Sequence, residues 1–523
     1  AGTGGTSGDG TGGSTGTGGN AGSVTAGFPS TGGTSGNSGA GEAGAETGGS
    51  SATGGFTSSG GVTGNGGQAA EAGEAGAGGT GPAACDPESP TAGCVLTTGF
   101  SAIYVAPPSA GGDDQNNGTQ SAPVASITHA LELPGANVVP IFVCAGTYQE
   151  HVEITVTGIS LHGAYTCQSA TWTYDPTSTS RLAPTTKDEA LRVKSVDRLS
   201  VTDMELASAN ASDPGASSVA VFVSDSKAVT FVRDHIVAGD GVKGANGVLE
   251  AYTYPATDDL KGNPAKGAAP GAARSDCPIC PGGDANTSGG VGGLAQQSGT
   301  PGEPQQFGGG TAGQVDGTEC SNGGRGGDAP GADQGDGASV PGVLGSDGWT
   351  PSDGQVGADG VPGQGGGGGG GAPTSGAGAG GGGACGGCGG SGGPAGSGGG
   401  SSIAILAFGS NLSLQDCAVE TGNAGDGGTG KAGQQGQDGG IGGDRTGSAC
   451  LGGNGGKGGD GGAGGGGAGG ISVGVVSDMT SKVTSDDATT YTVGTPGMGG
   501  HGAGTDDNGV NGVAQEQLSL SGA

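Results

Sequence analysis

Acidic side chains that could support acid–base or metal chemistry recur in the apolar part of the chain. Asp203, Asp234 and Asp416 each stand two or three residues ahead of an apolar position, at one place in successive repeats. Such a row of carboxylates could bind calcium or take part in catalysis. Asp residues that stack in successive turns also accept hydrogen bonds from local backbone N–H groups. We favour this second interpretation, in which the row stabilises turns.

These acids lack an obvious catalytic base. A lyase that removes the proton next to a uronate carboxylate needs a base beside its acids. Arg233 neighbours Asp234, but the residues beside Asp203 and Asp416 supply no comparable group. His235 could form a general base with Asp234, although a single His in a turn usually contacts only solvent. The four catalytic candidates are therefore weak, and we expect a non-catalytic protein.

The cysteines indicate disulfides. Eleven occur, mostly in polar, glycine-flanked positions, which is typical of an oxidising compartment. The candidate partners are Cys85, Cys94, Cys144, Cys167, Cys277, Cys280, Cys385 and Cys388. We expect the first two to pair and the next two to pair across neighbouring repeats, although connectivity does not follow from sequence alone. The odd total leaves at least one thiol free or paired between chains.

Two Cys-x-x-Cys motifs, at 277–280 and 385–388, together have the ligand count of a four-cysteine zinc site. They stand too far apart for a zinc ribbon, and an exported chain would oxidise them. Disulfides within or between the two motifs are therefore favoured over zinc, and the sequence predicts no cofactor.

Glycine dominates the composition, with 136 of 523 residues, whereas aromatic residues make up 3%. Glycine brings no side chain to a core, and ordering each residue costs about 1–2 kcal/mol. Any hydrophobic core must come from the minority of the chain where Val, Ile and Leu concentrate. This composition excludes an ordinary globular enzyme of this length and predicts a small core that carries low-complexity segments.

The chain is strongly acidic, with 48 acidic and 16 basic residues and a net charge of −32. Such a charge disfavours nucleic acid and anionic lipid as partners, and it is compatible with weak binding of Ca²⁺. A defined calcium roll is not expected, because Gly-Gly-Asp fragments at 282–284, 326–328, 442–444 and 458–460 do not repeat with a period of nine. The expected partners are polysaccharide, matrix or other surface proteins.

Location outside the cell follows from several features together. No apolar run approaches the ~20 residues of a transmembrane helix. Residues 1–83 are nearly all Gly, Ser, Thr and Ala, without cysteine or basic residues, which predicts a flexible tether. This tether resembles the stalks of bacterial surface lipoproteins, which implies a lipid anchor on a segment that precedes this numbering.

Ordered elements are expected from residue 84 onward. Ile103-Tyr104-Val105 predicts a strand, and Pro123 opens a helical pattern that Pro134-Gly135 ends. A strand at 141–143, Gly146-Thr147-Tyr148 and an alternating Val/Ile/Leu run over 152–161 follow. The order of these elements over 103–163 resembles bacterial right-handed parallel β-helix proteins of the pectin-lyase-like superfamily. The resemblance implies that the helix caps the first coil.

Four later segments repeat one pattern of apolar strand positions around a polar turn, each over about the length of one β-helix coil. They begin at Leu191, Val219, Ile403 and Ile471, and together they predict six or seven coils. Glycine-rich tracts interrupt this series after Ala238, Thr421 and Val493, always just after the same coil position. All three should therefore leave the stack from one edge.

The glycine tracts resemble glycine-rich surface proteins of mycobacteria and related predicted proteins of myxobacteria. Frequent glycine permits extended, polyproline-II-like segments that pack side by side, and residues 430–439 have collagen's triplet period. Disorder is the alternative, and the sequence does not decide between them.

We therefore predict an all-β protein: a short right-handed parallel β-helix with an N-terminal helical cap and long glycine-rich loops extruded from one edge. The expected divisions are the tether 1–83, a capped β-helix part 84–238, an insertion 239–400, a coil 401–421, an insertion 422–469 and C-terminal coils 470–523 with a short glycine-rich loop. The predicted function is display at the cell surface, as an adhesive or matrix protein. A polysaccharide lyase or hydrolase, and an ice- or surface-binding protein that uses packed polyglycine strands, are the alternatives. The oligomeric state is left open.

Overall fold

A computed structural model describes residues 83–168, 171–186, 188–273, 276–282 and 287–520. The tether predicted over 1–83 lies outside these residues, apart from Ala83.

Regular structure in the described residues is almost entirely β. The strands, in chain order, are β1 (Ile103–Val105), β2 (Ile141–Cys144), β3 (Gly146–Tyr148), β4 (Val152–Ile154), β5 (Ile159–Gln168), β6 (Thr171–Tyr174), β7 (Ser180–Leu182), β8 (Leu191–Lys194), β9 (Leu199–Thr202), β10 (Met204–Ala207), β11 (Ser218–Ser224), β12 (Val229–Val232), β13 (His235–Ala238), β14 (Val315–Asp316), β15 (Glu319–Cys320), β16 (Gly342–Gly345), β17 (Gly348–Pro351), β18 (Ser402–Phe408), β19 (Asn411–Gln415), β20 (Ala418–Thr421), β21 (Ser472–Asp478), β22 (Lys482–Ser485), β23 (Thr490–Thr492) and β24 (Ala514–Leu520). The helices are α1 (Ile127–Glu132) and three 3-10 turns, Pro108–Ala110, Thr257–Leu260 and Gln305–Phe307.

Three parallel sheets contain most of the strands. Sheet 1 has the order β1-β2-β5-β9-β12-β19-β22, sheet 2 the order β3-β7-β10-β13-β20-β23, and sheet 3 the order β4-β8-β11-β18-β21-β24. From β2 onward the chain visits sheet 1, sheet 2 and sheet 3 in turn and then returns to sheet 1. Among the named strands, antiparallel pairing occurs between β5 and β6 and within the hairpins β14–β15 and β16–β17. This all-β fold of mostly parallel strands is consistent with a parallel β-helix.

The core is a column of apolar side chains that stack between the sheets. In sheet 1, register pairs Leu161 with Val201, Val201 with Phe231 and Phe231 with Leu414. All four are buried in one continuous cluster. Each such side chain contributes roughly 1.5–3 kcal/mol when it is removed from water, so the column stabilises the stack in the direction in which the coils repeat.

The predicted helix forms near the start of this stack. Ser126 caps it, because its Oγ accepts a hydrogen bond from the His129 N–H at 3.1 Å. Ile127 and Ala130 face the core, and the helix packs against β1 and β4. It begins at residue 127 rather than at Pro123, because the segment around Val124 pairs instead with Val105.

The alternating run predicted over 152–161 is two strands rather than one. β4 belongs to sheet 3 and β5 to sheet 1, and the chain turns between them at Gly158, whose φ is +95°. Val156 lies in this turn with 47% exposure. The corner between sheet 3 and sheet 1 interrupts the alternation here without any change in composition, so the sequence pattern alone does not reveal it.

Three glycine-rich insertions separate successive coils. They are residues 239–401 between β13 and β18, 422–471 between β20 and β21, and 493–513 between β23 and β24. The strands that precede them are neighbours in sheet 2, and the strands that follow them are neighbours in sheet 3. Across the longest insertion the stack continues directly, since Val221 pairs with Ile405. We call the three insertions together the glycine-rich lobe.

Among the described residues there is no helix with the length and apolar character needed to cross a membrane.

Candidate functional site

The candidate acids lie near the corner where the chain passes from sheet 1 to sheet 2. Asp203, Arg233 and Asp416 each stand just after a sheet 1 strand, with φ values of 56°, 55° and 54°. The Asp203 N–H donates to the Val232 carbonyl, and the Arg233 N–H donates to the Gln415 carbonyl. These three residues therefore stack as one left-handed corner position in successive coils.

Register corrects one expectation about this row. Glu205 pairs with His235, and His235 pairs with Ala418, so Asp203 and Asp416 align with Arg233 and not with Asp234. Asp234 lies one residue further on. The position of Asp203 and Asp416 faces outward, whereas the next position, that of Asp234, faces inward. The spacing of two or three residues before an apolar residue does not distinguish these two positions.

Asp203 is neutralised by an ion pair. Its Oδ1 and Oδ2 accept hydrogen bonds from Nε and Nη2 of Arg233, each at 2.8 Å. The Tyr174 hydroxyl donates to Oδ1 at 3.1 Å. The hydrogen bonds to Asp203 raise the pKa of the Arg233 guanidinium, although burial opposes this shift. Arg233 therefore stays protonated and cannot serve as the base of a lyase.

Asp234 is a buried structural acceptor. It is 1% exposed, and its carboxylate accepts hydrogen bonds from the Met204 N–H at 2.8 Å and the Val232 N–H at 3.1 Å. Burial raises the pKa of Asp234 well above its usual range, although these two backbone hydrogen bonds oppose the shift. The side chain thus fastens two adjacent coils and is closed to a substrate.

The other two candidates are separate from this carboxylate. The Asp416 N–H donates to Asp486 Oδ1 at 3.0 Å, one coil further along. His235 Nε2 lies 3.3 Å from Glu420 Oε1 in the next strand of sheet 2. Asp203, Arg233 and His235 also line a recess of about 140 Å³. Within this recess the carboxylate of Asp203 is already paired with the guanidinium of Arg233.

Ten cysteines form five disulfides. Cys85 is bonded to Cys94 and Cys144 to Cys167, as the sequence analysis expects. The two Cys-x-x-Cys motifs are bonded to each other, Cys277 to Cys385 and Cys280 to Cys388, and a fifth bond joins Cys320 to Cys450. Three residues complete one turn of an extended polyproline-II segment. The motif spacing therefore places both cysteines of each pair on the same side of their segment.

Cys417 is the one free thiol. It is buried beneath the sheet 1 to sheet 2 corner, and its Sγ lies 3.4 Å from the Phe231 carbonyl oxygen. Burial raises the pKa of the thiol to about 12, with the nearby Asp234 as a smaller cause. The thiol is therefore protonated at neutral pH and is closed to reagents.

The glycine-rich lobe consists of extended segments that are hydrogen bonded to each other. Segment 378–402 runs parallel to segment 450–471 and antiparallel to segment 352–372. The donor–acceptor pairs advance three residues at a time on both chains: Gly387 to Gly456, Gly390 to Gly459 and Gly393 to Gly462. This period is that of the polyproline-II helix, which has no internal hydrogen bonds and must satisfy its backbone groups outside itself.

Successive N–H groups of one segment point to different neighbours. The Asn423 N–H donates to Asp240 Oδ1 at 2.7 Å, the Ala424 N–H to the Thr495 carbonyl at 2.9 Å and the Gly425 N–H to the Gly400 carbonyl at 2.8 Å. Asn and Asp side chains thus satisfy the donors for which no carbonyl is in place. The segments hold each other in register, and the sequence alternative of disorder does not describe this packing.

Close approach explains the glycines at the centre of the lobe. A Cβ added at Gly386 would lie 1.9 Å from the Gly363 carbonyl oxygen, and one at Gly387 would lie 1.9 Å from the Gln437 carbonyl oxygen. No side chain fits at either position. Over residues 385–393, two glycines in each triplet therefore let the segment contact neighbours on two sides, in the way that collagen's axial glycine permits close packing.

Two of the Gly-Gly-Asp aspartates, Asp328 and Asp460, are occupied by neighbouring donors, and Asp284 lies outside the described residues. Asp328 Oδ1 contacts Arg325 Nη2 and the Lys457 N–H, each at 2.6 Å. Asp460 Oδ1 contacts Lys457 Nζ at 2.7 Å and the Gly436 N–H at 2.8 Å. Within the described part of the chain, no three His, Cys, Asp or Glu side chains form a group that could hold a metal ion.

Comparison with known proteins gives one match. Residues 110–265 match the model of a family described as "Protein of unknown function (DUF1565)", which is known to be right-handed β-helix-like. No curated protein and no solved structure matches the chain. The matched residues include α1 and the strands β2–β13 but end shortly after the first insertion begins. The chain is thus similar to this family over less than a third of its length, through the parallel strands that precede the glycine-rich lobe.

Proposed function

We propose that this chain is an exported structural or adhesive protein of the cell surface or matrix, in which a right-handed parallel β-helix with an N-terminal helical cap displays the glycine-rich lobe. The observation that carries the proposal is the lobe itself. A large part of the chain is folded into a layer of extended segments on one corner of the scaffold, and the most enzyme-like residues are occupied in fastening coils. A chain that forms an extended surface layer, and not a catalytic pocket, favours a binding or coating role.

The compartment is inferred from the disulfides. Three of the five bonds lie within the lobe and close loops of 108 to 130 residues. Bonds that close loops of this length stabilise a chain mainly by restricting its unfolded state, and they persist in oxidising compartments. A lobe that depends on them supports a location outside the cell, either free in a matrix or attached to the surface.

One face of the lobe is regular enough to contact another surface. Three parallel segments, one from each insertion, begin at Asp240, Asn423 and Thr495, which lie side by side as one row. Further rows follow at three-residue intervals, Lys243 with Asp426 and Met498, then Asn246 with Thr429 and His501. The face carries amides, hydroxyls and both signs of charge. Such a surface suits many weak contacts with a hydrated polymer.

Binding of the full chain to insoluble polysaccharide or matrix particles tests the adhesive role. Met498 lies on the regular face and Met479 in the turn after β21, and both are exposed. We expect Met498→Ser to lower retention on the particles and Met479→Ser to leave it unchanged. Protease added to intact producing cells should also release lobe fragments. Equal retention of the two variants, or protection of the lobe until the cells are lysed, would contradict the proposal.

The same regular face supports a second candidate, a protein that binds a crystalline surface such as ice. The rows repeat at the three-residue interval of polyproline II, about 9 Å along each segment. Thermal hysteresis of a solution of the full chain would favour this candidate. Its absence, together with retention on polysaccharide, would leave adhesion as the better account.

A further inference from the structure

A cavity of about 500 Å³ lies on the outer face of sheet 1, away from the lobe. It opens where the segment around residues 87–100 passes beside β5. Phe100, Val138, Val139 and Pro140 form an apolar wall. Val138 is 77% exposed, although a large apolar side chain usually stays exposed only in isolation or at a contact site. The volume and the apolar wall are those of a small-molecule site.

The floor of the cavity is polar. Ser160 and His162 stand two residues apart on β5, so their side chains share one face, and the buried Leu161 between them points to the core. Ser160 Oγ lies 2.6 Å from His162 Nε2. Burial lowers the pKa of His162 to about 4, with smaller and opposing effects of Asp203 and Arg233. At neutral pH the pair therefore offers hydrogen-bonding groups without charge.

Arg198 supplies a positive charge at the edge of the same cavity. Its Nη2 lies 3.4 Å from the place that a Cβ on Gly158 would take, so the glycine leaves room for the guanidinium. No acid among the described residues lies within ion-pair distance of Arg198, and its neighbour Asp197 is 4.0 Å from Lys227 instead. An unpaired guanidinium is notable in a chain with a net charge of −32. Glu88 is the one acid that lines the cavity.

We propose that this cavity binds a small amphipathic carboxylate, with the carboxylate on Arg198, polar substituents toward Ser160 and the apolar body against Phe100 and Val138. The planar fork of a guanidinium fits a carboxylate with two parallel hydrogen bonds. Binding of such a molecule goes beyond display by the lobe and does not depend on it.

Calorimetric titration of the full chain with 3-phenylpropionate at low salt tests the proposal. 3-Phenylpropanol and 3-phenylpropylamine have the same apolar body and differ in charge. We expect the carboxylate to bind at least about fivefold more tightly than the alcohol, because only the carboxylate can form the charge-assisted pair. The amine should bind most weakly. Equal affinities, tightest binding of the amine or no saturable binding of the carboxylate would overturn the proposal.

Three variants locate the interaction. Arg198→Gln should weaken binding of 3-phenylpropionate at least about fivefold, whereas Glu88→Gln should strengthen it about twofold by removing a like charge. Arg181→Gln is the matched control, because Arg181 lies on sheet 2 and pairs with Glu205 at 3.1 Å. It should leave the affinity unchanged. An Arg198→Gln protein that binds like the wild type would contradict the assignment, provided that the thermal midpoints of the variants agree.

Discussion

Cys320 in the first glycine-rich insertion is bonded to Cys450 in the second, across a sequence separation of 130 residues. The two insertions leave the stack from different strands of sheet 2, so this bond can form only if they fold against each other. Together with the register of backbone hydrogen bonds, it makes the insertions parts of one lobe. The chain thus builds two structures by different means, an apolar stack and a hydrogen-bonded layer.

The disulfide pattern leaves one thiol in the folded protein. Alkylation without reductant should modify only Cys417, and only after denaturation. In the native state, burial and a pKa of about 12 keep this thiol unreactive. Mass spectrometry of native and denatured samples measures the modified sites. Modification of a second cysteine, or rapid modification of the native protein, would show that the pairing differs.

Close packing makes the central glycines irreplaceable. Gly386→Ala should destabilise the lobe by about 3 kcal/mol or more, because the added methyl group meets backbone that cannot move alone. The control is Gly345→Ala, since a Cβ at Gly345 meets no atom within 4 Å. It should change stability by less than about 0.5 kcal/mol. Chemical unfolding with lobe-specific proteolysis as a second readout compares the two, and equal stability of both variants would refute the packing.

Most strands of the stack are predictable from the sequence, because alternation of apolar and polar residues indicates a strand with one buried face. The strands that contain Val221, Phe231, Ile405 and Leu414 were all expected, and their adjacency across the long insertion follows from matching patterns. The hairpins β14–β15 and β16–β17 were missed, since glycine tracts carry no such alternation. Order in the lobe depends on which neighbouring segment accepts the hydrogen bond of each backbone N–H group. Amino-acid composition does not predict that partner. The triplet period of residues 430–439, which residues 452–462 share, is a local signal that corresponds to this order.

Acid should destabilise the protein through His162. Burial lowers its native pKa to about 4, whereas an unfolded chain keeps the usual value near 6.5. The unfolded state therefore binds more protons than the folded state between these two pH values. The stability that the neutral imidazole contributes is complete above pH 6.5 and is lost as the pH falls to about 4. The loss approaches about 3 kcal/mol. Unfolding free energies of wild type and His162→Phe between pH 4 and 7 measure it, with the exposed His501→Gln as control. A His162→Phe protein with the same pH slope as the wild type would rule the effect out.

The ion pair between Asp203 and Arg233 should have a measurable coupling free energy. A double-mutant cycle with Asp203→Asn and Arg233→Gln is expected to give a coupling of about 1–3 kcal/mol, because both hydrogen bonds involve charged groups and Asp203 is largely buried. Asp197 and Lys227, which are 4.0 Å apart and mostly exposed, form the control pair. Their coupling should stay below about 0.5 kcal/mol. Similar coupling energies for the two pairs would show that the ion pair between Asp203 and Arg233 does not hold neighbouring coils together.

The candidate site was only partly readable from the sequence. The turn interpretation of the aspartates agrees with the contacts of Asp234, yet spacing placed it one position away from its true register. The pairing of Asp203 with Arg233 needs two residues from neighbouring coils, which linear spacing does not reveal. The proximity of Ser160 and His162 was predictable from the sequence, because alternation around Leu161 puts both side chains on the outer face of the strand.

Hydrogen exchange of the full chain, followed by mass spectrometry of peptides within 452–470, tests the ordered lobe most directly. If these amides donate to neighbouring segments as described, they should exchange at least about a thousandfold more slowly than in an unstructured chain. Peptides from β11–β13 should also be protected and serve as the internal reference. Lobe amides that exchange at unstructured rates while those strands remain protected would contradict the account.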